Sequence, residues 1–204
     1  MGGRPKVSKT WVVVLIKDFD SAKERLRPAM GAQSRRALAR RNAKLAVDAA
    51  KAGGHVLVVA GGEEVGEMAA SWGAAVLLEP REEGQNKAAE RGIKRAIEGG
   101  AEAVLLLSSD LPLVTSDAVH KLLTVASRLK APVAVGVPAI GRGGTNALYL
   151  RPPEVIGMHF GEDSLARFRA DAEARGVGFV VHQSEAIALD IDEPEDLARL
   201  SRAV

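Results

Sequence analysis

Short apolar runs alternate with segments of helical periodicity along the first two thirds of this 204-residue chain. Five runs predict buried strands because they are continuous, apolar and short: residues 12–16, 55–60, 75–78, 103–107 and 132–137. Four segments between them predict helices, three of which are followed by glycine: residues 33–52, 63–72, 87–98 and 116–128. Strands alternating with helices of this length predict an α/β fold, a mainly parallel sheet with helices on both faces.

The pattern is less regular in the last third of the chain. Here we expect strands at residues 146–150, 178–182 and 186–189 and helices at residues 164–175 and 195–202. The chain is long enough for one domain with a substantial core, which we place at residues 11–204. We expect residues 1–10 to form a flexible tail.

Composition excludes several classes of protein. The chain has no cysteine, which rules out disulfides, thiolate nucleophiles and cysteine-based metal sites. No apolar run reaches the roughly 18 residues of a membrane span, and the apolar stretch at residues 11–16 is too short for a signal peptide. We therefore expect a soluble cytoplasmic protein with no membrane partner. The sequence leaves a monomer and a homodimer both open.

A basic cluster lies within the first predicted helix and consists of Arg35, Arg36, Arg40, Arg41 and Lys44. The net charge is only +2, and aromatic residues, on which single-stranded nucleic acids stack, make up 3% of the chain. We interpret the cluster as a solvated helix face and expect no nucleic-acid partner.

Acidic residues stand where two predicted strands end, far apart in the chain. Asp110 follows the strand at residues 103–107, and Asp190 and Asp192 follow the one at 186–189. Ligands of open α/β sheets bind outside the carboxyl ends of the strands, and Mg²⁺ prefers one or two carboxylates plus substrate phosphates. The pattern predicts a magnesium site for phosphate chemistry. For Asp192 an alternative is a capping box with Glu195 at the start of the last helix.

Three cations follow the first predicted strand within nine residues, namely Lys17, Lys23 and Arg25. No phosphate-binding P-loop or dinucleotide fingerprint is present, so these side chains could hold a triphosphate by charge. The alternative is an ordinary charged loop. Gly84 and Asn86 precede a predicted helix, whose N-terminus attracts anions, although Asn86 could simply cap that helix.

Two further loops contain small and polar residues next to glycine. The first, residues 141–146, is rich in glycine and includes Thr145, and backbone N–H groups of such a loop can bind an anion. The second contains Gly161 and ends at Ser164, which could cap the next helix or bind a phosphate there. Alone, each loop is equally typical of an ordinary turn.

Taken in order, these motifs resemble those of the 2-phospho-L-lactate guanylyltransferase family, which acts in the biosynthesis of the deazaflavin coenzyme F-420. The matching pieces span nearly the whole chain: Lys17 with Lys23-Glu24-Arg25-Leu26, Gly84-Gln85-Asn86, Asp110-Leu111-Pro112-Leu113, Gly144-Thr145-Asn146-Ala147-Leu148, Phe160-Gly161 with Ser164, and residues 190–197. The resemblance implies a Rossmann-like nucleotide-diphospho-sugar transferase fold with a mixed, mostly parallel sheet.

The resemblance also implies the reaction: GMP passes from GTP to 2-phospho-L-lactate or phosphoenolpyruvate, and pyrophosphate leaves. It assigns charge neutralisation in catalysis and nucleotide binding to Lys17, Lys23 and Arg25, with Gly84 and Asn86 near the nucleoside. It assigns acceptor binding to Thr145, Gly161 and Ser164, and Mg²⁺ to Asp110, Asp190 and Asp192. Alternatives are a molybdopterin guanylyltransferase, a sugar-phosphate cytidylyltransferase or a nucleotide-binding regulatory subunit without catalysis.

Three positions depart from the family pattern. The glycine-rich loop lacks the usual Gly-Thr-Gly-Thr-Asn order, Gln85 stands where leucine is common, and Phe168 replaces a histidine. We expect Phe168 to lie near the acceptor, where the pocket should be drier and disfavour an extra hydroxyl, because an unpaired buried hydroxyl costs about 1–3 kcal/mol. We therefore expect 2-phospholactate or phosphoenolpyruvate to be preferred over 3-phosphoglycerate.

Overall fold

The computed structural model describes residues 9–141 and 143–203. The strands are β1 Thr10–Ile16, β2 His55–Ala60, β3 Ala75–Leu78, β4 Ala103–Ser108, β5 Val133–Pro138, β6 Thr145–Arg151 and β7 Gly178–Val181. The helices are α1 Ala32–Ala50, α2 Glu63–Ser71, α3 Gln85–Glu98, α4 Ser116–Arg128, α5 Ser164–Ala174, α6 Glu185–Ala188 and α7 Pro194–Ala203. Of the predicted tail, residues 1–8 lie outside the described residues, whereas Thr10 already belongs to β1.

All seven strands form one sheet in the order β3-β2-β1-β4-β6-β5-β7. The pairs β1 with β2, β1 with β4, β2 with β3 and β5 with β7 are parallel, whereas β6 is antiparallel to both β4 and β5. The predicted mixed, mostly parallel sheet is therefore confirmed. Because β6 alone is reversed, its first residue, Thr145, lies at the same edge as the last residues of its neighbours.

The sheet is covered on both faces, and the central strand β1 shows why its sequence is apolar throughout. Val12 and Val14 belong to the core that also contains residues of α1, α2 and α4, while Val13 belongs to the core with α3 and α5. All three valines are fully buried. Successive strand residues point to opposite faces, so a strand covered on both sides needs a continuous apolar run.

Helix α3 packs unusually close to the sheet through Gly92. A Cβ atom at Gly92 would lie 2.6 Å from Cγ1 of Val13 and 2.9 Å from Cγ2 of Val59, closer than real side chains approach. A glycine in the middle of a helix costs about 1 kcal/mol relative to alanine, which this close packing offsets. The contact fixes the height of α3, and with it the position of its N-terminal residues, over β1 and β2.

One predicted strand is wrong. Residues 186–189 do not extend the sheet, because the edge next to β5 is taken by β7, and they lie largely in the short helix α6. The backbone N–H groups of Ile187 and Ala188 donate to the carbonyl of Ser184, which closes this turn. Its apolar residues are buried as predicted, but a run of four cannot distinguish a strand from a helical turn.

Within the described part of the chain, no helix combines the length and apolar character required to cross a membrane. The loops after β1, β3 and β4 open at one edge of the sheet, where the loop before β6 joins them. This edge is where ligands of open α/β sheets bind.

Candidate active site

A cleft of about 1110 Å³ runs across the carboxyl edge of the parallel strands. It is lined by all the predicted site residues except Asn86: Lys17, Lys23, Arg25, Gly84, Asp110, Thr145, Gly161, Ser164, Asp190 and Asp192. The fold therefore brings together loops that are up to 175 positions apart, counted from Lys17 to Asp192. Acidic and basic side chains meet in its middle.

Lys23 and Asp110 form an ion pair at the centre of the cleft. Nζ of Lys23 donates to Oδ2 of Asp110 at 2.9 Å, and the lysine side chain is only 8% exposed. Lys23 adopts φ 60°, a left-handed conformation that is unfavourable for a residue with a side chain, and the following turn is anchored by the buried Leu26. Strain of this kind persists where the surroundings fix it, so the lysine is held at this point.

Arg25 lies on the open side of the cleft, where its Nη1 is 3.0 Å from Oδ2 of Asp192 and 3.5 Å from Oε1 of Glu193. Its side chain is 66% exposed, so water and salt weaken these pairs. The alternative capping role for Asp192 with Glu195 is wrong. The carboxylate that accepts the backbone N–H groups of residues 192 and 193 belongs to Asp196, at 3.0 and 2.9 Å.

The segment that carries Asp190 is anchored by Asn146, a residue that the sequence reasoning did not single out. Its buried Nδ2 donates to the carbonyls of Ile187 and Ala188 at 2.9 and 3.0 Å and contacts Oδ1 of Asp190 at 3.3 Å. The backbone N–H of residue 191 also donates to the Asp110 carbonyl at 3.2 Å. The end of α6 is thus fixed beside the end of β4. The only sequence signal for Asn146 is its place in the Gly-Thr-Asn motif.

The predicted magnesium ligands are close neighbours but do not form a ready-made cage. Within residues 9–141 and 143–203, no three acidic or histidine side chains are arranged to hold a metal ion. Asp110 and Asp192 instead bind Lys23 and Arg25. Magnesium sites for nucleotides need only one or two carboxylates, since phosphates and water complete the shell. The donor set therefore fits Mg²⁺, and the metal assignment stays a prediction.

The two predicted acceptor loops meet at the other end of the cleft. Oγ of Ser164 donates to Oγ1 of Thr145 at 3.0 Å, and both residues are buried. The backbone N–H of Leu165 donates to the Gly143 carbonyl at 3.1 Å, so the glycine-rich loop rests on the start of α5. Gly143 has φ 62°, and a Cβ atom there would lie 2.6 Å from Oδ1 of Asp163. Ser164 is completely buried, so its hydroxyl orients that of Thr145.

Asn86 does not line the cleft, and its place near the nucleoside stays a prediction. Its Nδ2 donates to the Phe160 carbonyl at 3.2 Å, and its Oδ1 accepts the Phe160 N–H at 2.7 Å. Both ends of the amide are therefore used to hold the loop that carries Gly161. Gly84, in contrast, lines the cleft with φ 89°, and no atom lies within 4 Å of an added Cβ.

Phe168 is not at the cleft surface, contrary to the expectation from the sequence. It is fully buried and packs edge-on against Phe160, with ring centroids 5.2 Å apart, and against His159 at 5.5 Å. It packs against the loop that contains His159 and Phe160 and does not line the cleft. The argument that Phe168 excludes a hydroxyl-bearing acceptor is therefore wrong.

Asp171 of α5 also holds the loop that contains Phe160, through contacts with Gly157 and His159. Oδ2 accepts the Gly157 N–H at 2.7 Å and lies 3.0 Å from Nε2 of His159, while Oδ1 pairs with Arg175 at 2.6 Å. Burial alone would raise the pKa of Asp171, but the bonds from Arg175, Gly157 and His159 outweigh it and lower the pKa to about 2. These bonds favour the charged carboxylate.

The Asp171→Asn variant is expected to lose about 2 kcal/mol of unfolding free energy at neutral pH, from the shift of its pKa below 3.8. Because the folded pKa is the lower one, this contribution is present above the unfolded value and is lost as the pH falls through about 2. Urea unfolding of both proteins from pH 7 downward measures it. A stability difference that does not shrink below about pH 4 would contradict this account.

Glu79 is a cleft residue that the sequence reasoning missed. It directly follows β3, its side chain is 5% exposed, and its Oε1 accepts from Nη1 of Arg91 at 2.6 Å. The rule that identified Asp110, a carboxylate at the carboxyl end of a parallel strand, would have found it. The exposed charges around it, such as Glu82 and Glu83, obscured the signal.

Solved structures share this fold at low sequence identity. A Desulfovibrio desulfuricans G20 protein, named as a candidate nucleotide-diphospho-sugar transferase, superposes with a TM-score of 0.78 at 18% identity, covering 96% of this chain and 87% of that one. A nucleotidyl transferase of Methanothermobacter gives a TM-score of 0.67 at 14% identity, covering 95% and 96%. The nucleotide-diphospho-sugar transferase fold expected from the sequence is confirmed.

Sequence relatives are closer and carry three names. The phosphoenolpyruvate guanylyltransferase of Rubrobacter xylanophilus is 41% identical over 93% of this chain and 92% of its own. The 2-phospho-L-lactate guanylyltransferase of Methanothermobacter thermautotrophicus is 33% identical, covering 94% and 84%. The 3-phospho-D-glycerate guanylyltransferase of Colwellia psychrerythraea is 30% identical, covering 95% and 91%. The family model described as "Guanylyl transferase CofC like" matches residues 10–201, and the chain belongs to that guanylyltransferase family.

Proposed function

We propose that this protein transfers GMP from GTP to a small phosphorylated acid, phosphoenolpyruvate or 2-phospho-L-lactate, in coenzyme F-420 biosynthesis. The observation that supports this most directly is the composition of the cleft. Carboxylates of Asp110 and Asp192 and cations of Lys23 and Arg25 meet between an end lined by Gly84 and an end lined by Thr145. Such a site can hold a triphosphate beside a second phosphorylated molecule.

The cations act on the charge of the triphosphate. Lys17 and Arg25 are exposed at the cleft and can turn toward the β- and γ-phosphates, while Lys23 is held in the centre, where the α-phosphate would lie. Negative charge grows on the departing pyrophosphate as the bond breaks. Cations at that point stabilise the transition state more than the bound substrate.

The acceptor needs no general base. A phosphate oxygen of the acid is already anionic at neutral pH and attacks the α-phosphorus of GTP. A new P–O–P bond forms, the bond between the α-phosphorus and the bridging oxygen to the β-phosphate breaks, and pyrophosphate carries away the electron pair. Catalysis then rests on alignment of the two substrates and on charge neutralisation.

Mg²⁺ is part of the proposal, with Asp110, Asp190 and Asp192 as the residues that would hold it. When bound, it would neutralise phosphate charge and polarise the α-phosphate. Pairing with Lys23 and Arg25 holds two of these carboxylates at the cleft.

Phosphoenolpyruvate is the acceptor that the comparisons favour. The relative named for it is 41% identical to this chain, against 33% and 30% for those named for 2-phospho-L-lactate and 3-phospho-D-glycerate. All three acids carry a carboxylate near a phosphate, so the hydroxyl of Thr145 and the backbone at Gly161 could bind any of them. Differences in rate between the three acids are expected to come from the part of each molecule that is neither its carboxylate nor its phosphate.

A matrix of acceptors and nucleotides tests the function. The purified protein is incubated with Mg²⁺, one of the three acids and one of the four common NTPs, and pyrophosphate release is followed. Phosphoenolpyruvate or 2-phospho-L-lactate with GTP should give the highest kcat/KM, and release should depend on both partners. Pyrophosphate release in the absence of any acid would refute the proposal. So would the absence of release with all twelve pairs.

The hydroxyls of Thr145 and Ser164 are expected to matter for the acceptor alone. Thr145→Val removes a hydroxyl at the cleft and should raise the acceptor KM or lower kcat by about 10–100-fold, the usual cost of a lost bond to a charged group. Ser164→Ala should change the acceptor KM or kcat in the same direction but by less, because Ser164 acts through Thr145. GTP affinity measured calorimetrically without acceptor should stay within error, and a parallel loss of GTP binding would contradict this division.

A further inference from the structure

Glu79 differs from the other carboxylates of the cleft in its burial and its place. Its side chain is 5% exposed, against 29% for Asp110 and 35% for Asp192. A buried carboxylate is costly unless it is paired, and Arg91 supplies a charged partner. One bond from Arg91 uses only part of the acceptor capacity, since an ionised carboxylate has about four lone-pair positions.

The sheet order separates Glu79 from the charged centre. Glu79 follows β3, and β2 lies between β3 and β1, which carries the cationic loop. Two strand spacings amount to about 10 Å, roughly the reach of a nucleoside from its base to its α-phosphate. Asp110 lies on the opposite side of β1, at the end of β4. Glu79 is therefore placed for the base end of a nucleotide whose phosphates lie near Lys23.

The walls of this end suit a flat ring. Leu15, Val59 and Ala88 line the cleft with apolar surface, and Gly84 leaves open space where a side chain would stand. Apolar walls with one buried polar group are typical of sites that select a small molecule by its hydrogen bonds. Glu79 is the buried charged group of this end.

We infer that Glu79 reads the guanine base of GTP and so sets nucleotide specificity, an inference that rests on the proposed function. The Watson–Crick edge of guanine presents two adjacent donors, N1–H and the N2 amino group, and a carboxylate is an acceptor-only partner that matches both. Adenine presents an acceptor at N1 beside its one amino group. A wrong base leaves the buried carboxylate badly paired, the situation in which sites discriminate most strongly.

The test compares GTP with ITP, which lacks only the N2 amino group, and with ATP. Pyrophosphate release under saturating acceptor should give the wild-type protein a kcat/KM for GTP about 10–100-fold above that for ITP. In Glu79→Gln the value for GTP should fall by at least about tenfold and the GTP-to-ITP ratio should approach one. The GTP-to-ATP ratio should also narrow, because a side-chain amide offers one donor and one acceptor, as adenine requires.

Glu83→Gln is the matched control. Glu83 also pairs with Arg91, through Nη2, but does not line the cleft, so its variant should keep the wild-type GTP-to-ITP ratio. An unchanged ratio in folded Glu79→Gln, checked by circular dichroism, would overturn the inference. Equal use of GTP and ITP by the wild type would overturn it even if Glu79→Gln failed to fold. A wild type inactive with every acid and GTP would instead refute the proposed function.

Discussion

Asp110→Asn is expected to lower kcat by about 10²–10³-fold or more while the protein stays folded. The substitution keeps the size of the side chain and removes the charge that Lys23 meets at 2.9 Å and that we assign to Mg²⁺. Asp190→Asn should act in the same direction, since the backbone N–H of the next residue donates to the Asp110 carbonyl. Turnover under saturating GTP and acceptor measures the effect, and the Mg²⁺ concentration for half-maximal rate should rise.

Asp48→Asn is the control for these variants. Asp48 forms surface ion pairs with Lys44 and Lys51 on the far end of α1 and lies outside the cleft. It should lose a little stability and no turnover. Asp110→Asn with a rate near that of Asp48→Asn would show that the carboxylate has no part in the chemistry.

Lys23→Met is expected to have the second-largest effect, a loss of about 1–3 kcal/mol in transition-state stabilisation seen in kcat/KM for GTP. Methionine keeps the apolar stem and removes the charge. Arg25→Met should have a smaller effect in the same direction, because Arg25 is far more exposed than Lys23 and its field is screened. The effect of Arg25→Met should therefore shrink in high salt, while that of Lys23→Met persists.

Arg27→Met provides the comparison on the same loop. Arg27 pairs with Glu24 at the surface and does not line the cleft. If all three variants matched the wild type in initial-rate measurements over a range of GTP concentrations, the loop would be an ordinary charged surface. If all three lost activity equally, general charge rather than position would explain the loss.

The sequence allowed the main elements of the fold to be predicted because its buried strands are continuous apolar runs. The strand at residues 55–60 and the helix at 116–128 were placed to the residue. The reversed direction of β6 could not be predicted, since an apolar strand buried on both faces looks the same in either direction. The helical turn at Glu185–Ala188 was mistaken for a strand. Its apolar residues indicated burial, but the run is too short to show a helical or a strand periodicity.

Most of the residues that the sequence predicted for the site line the cleft, and a few do not. Asp110 and Lys23 stand out because charges beside apolar strands need a reason. Neither Asn86 nor Phe168 lines the cleft, and both support the loop around Phe160. Such packing depends on contacts between residues more than 70 positions apart, such as Asn86 and Phe160, which no local pattern encodes.

The reversal of β6 also has an evolutionary consequence. It lets a contiguous stretch, from the glycine-rich loop through the start of α5, form one end of the cleft. The loop after β3 forms the other end, and the loops after β1 and β4 lie between them. In the proposed function, substitutions within that stretch would alter the end assigned to the acid without rebuilding the end assigned to the nucleotide. Relatives named for three different acids are what such a modular arrangement would produce, and exchanging residues 139–165 between them should transfer acid preference along with the segment.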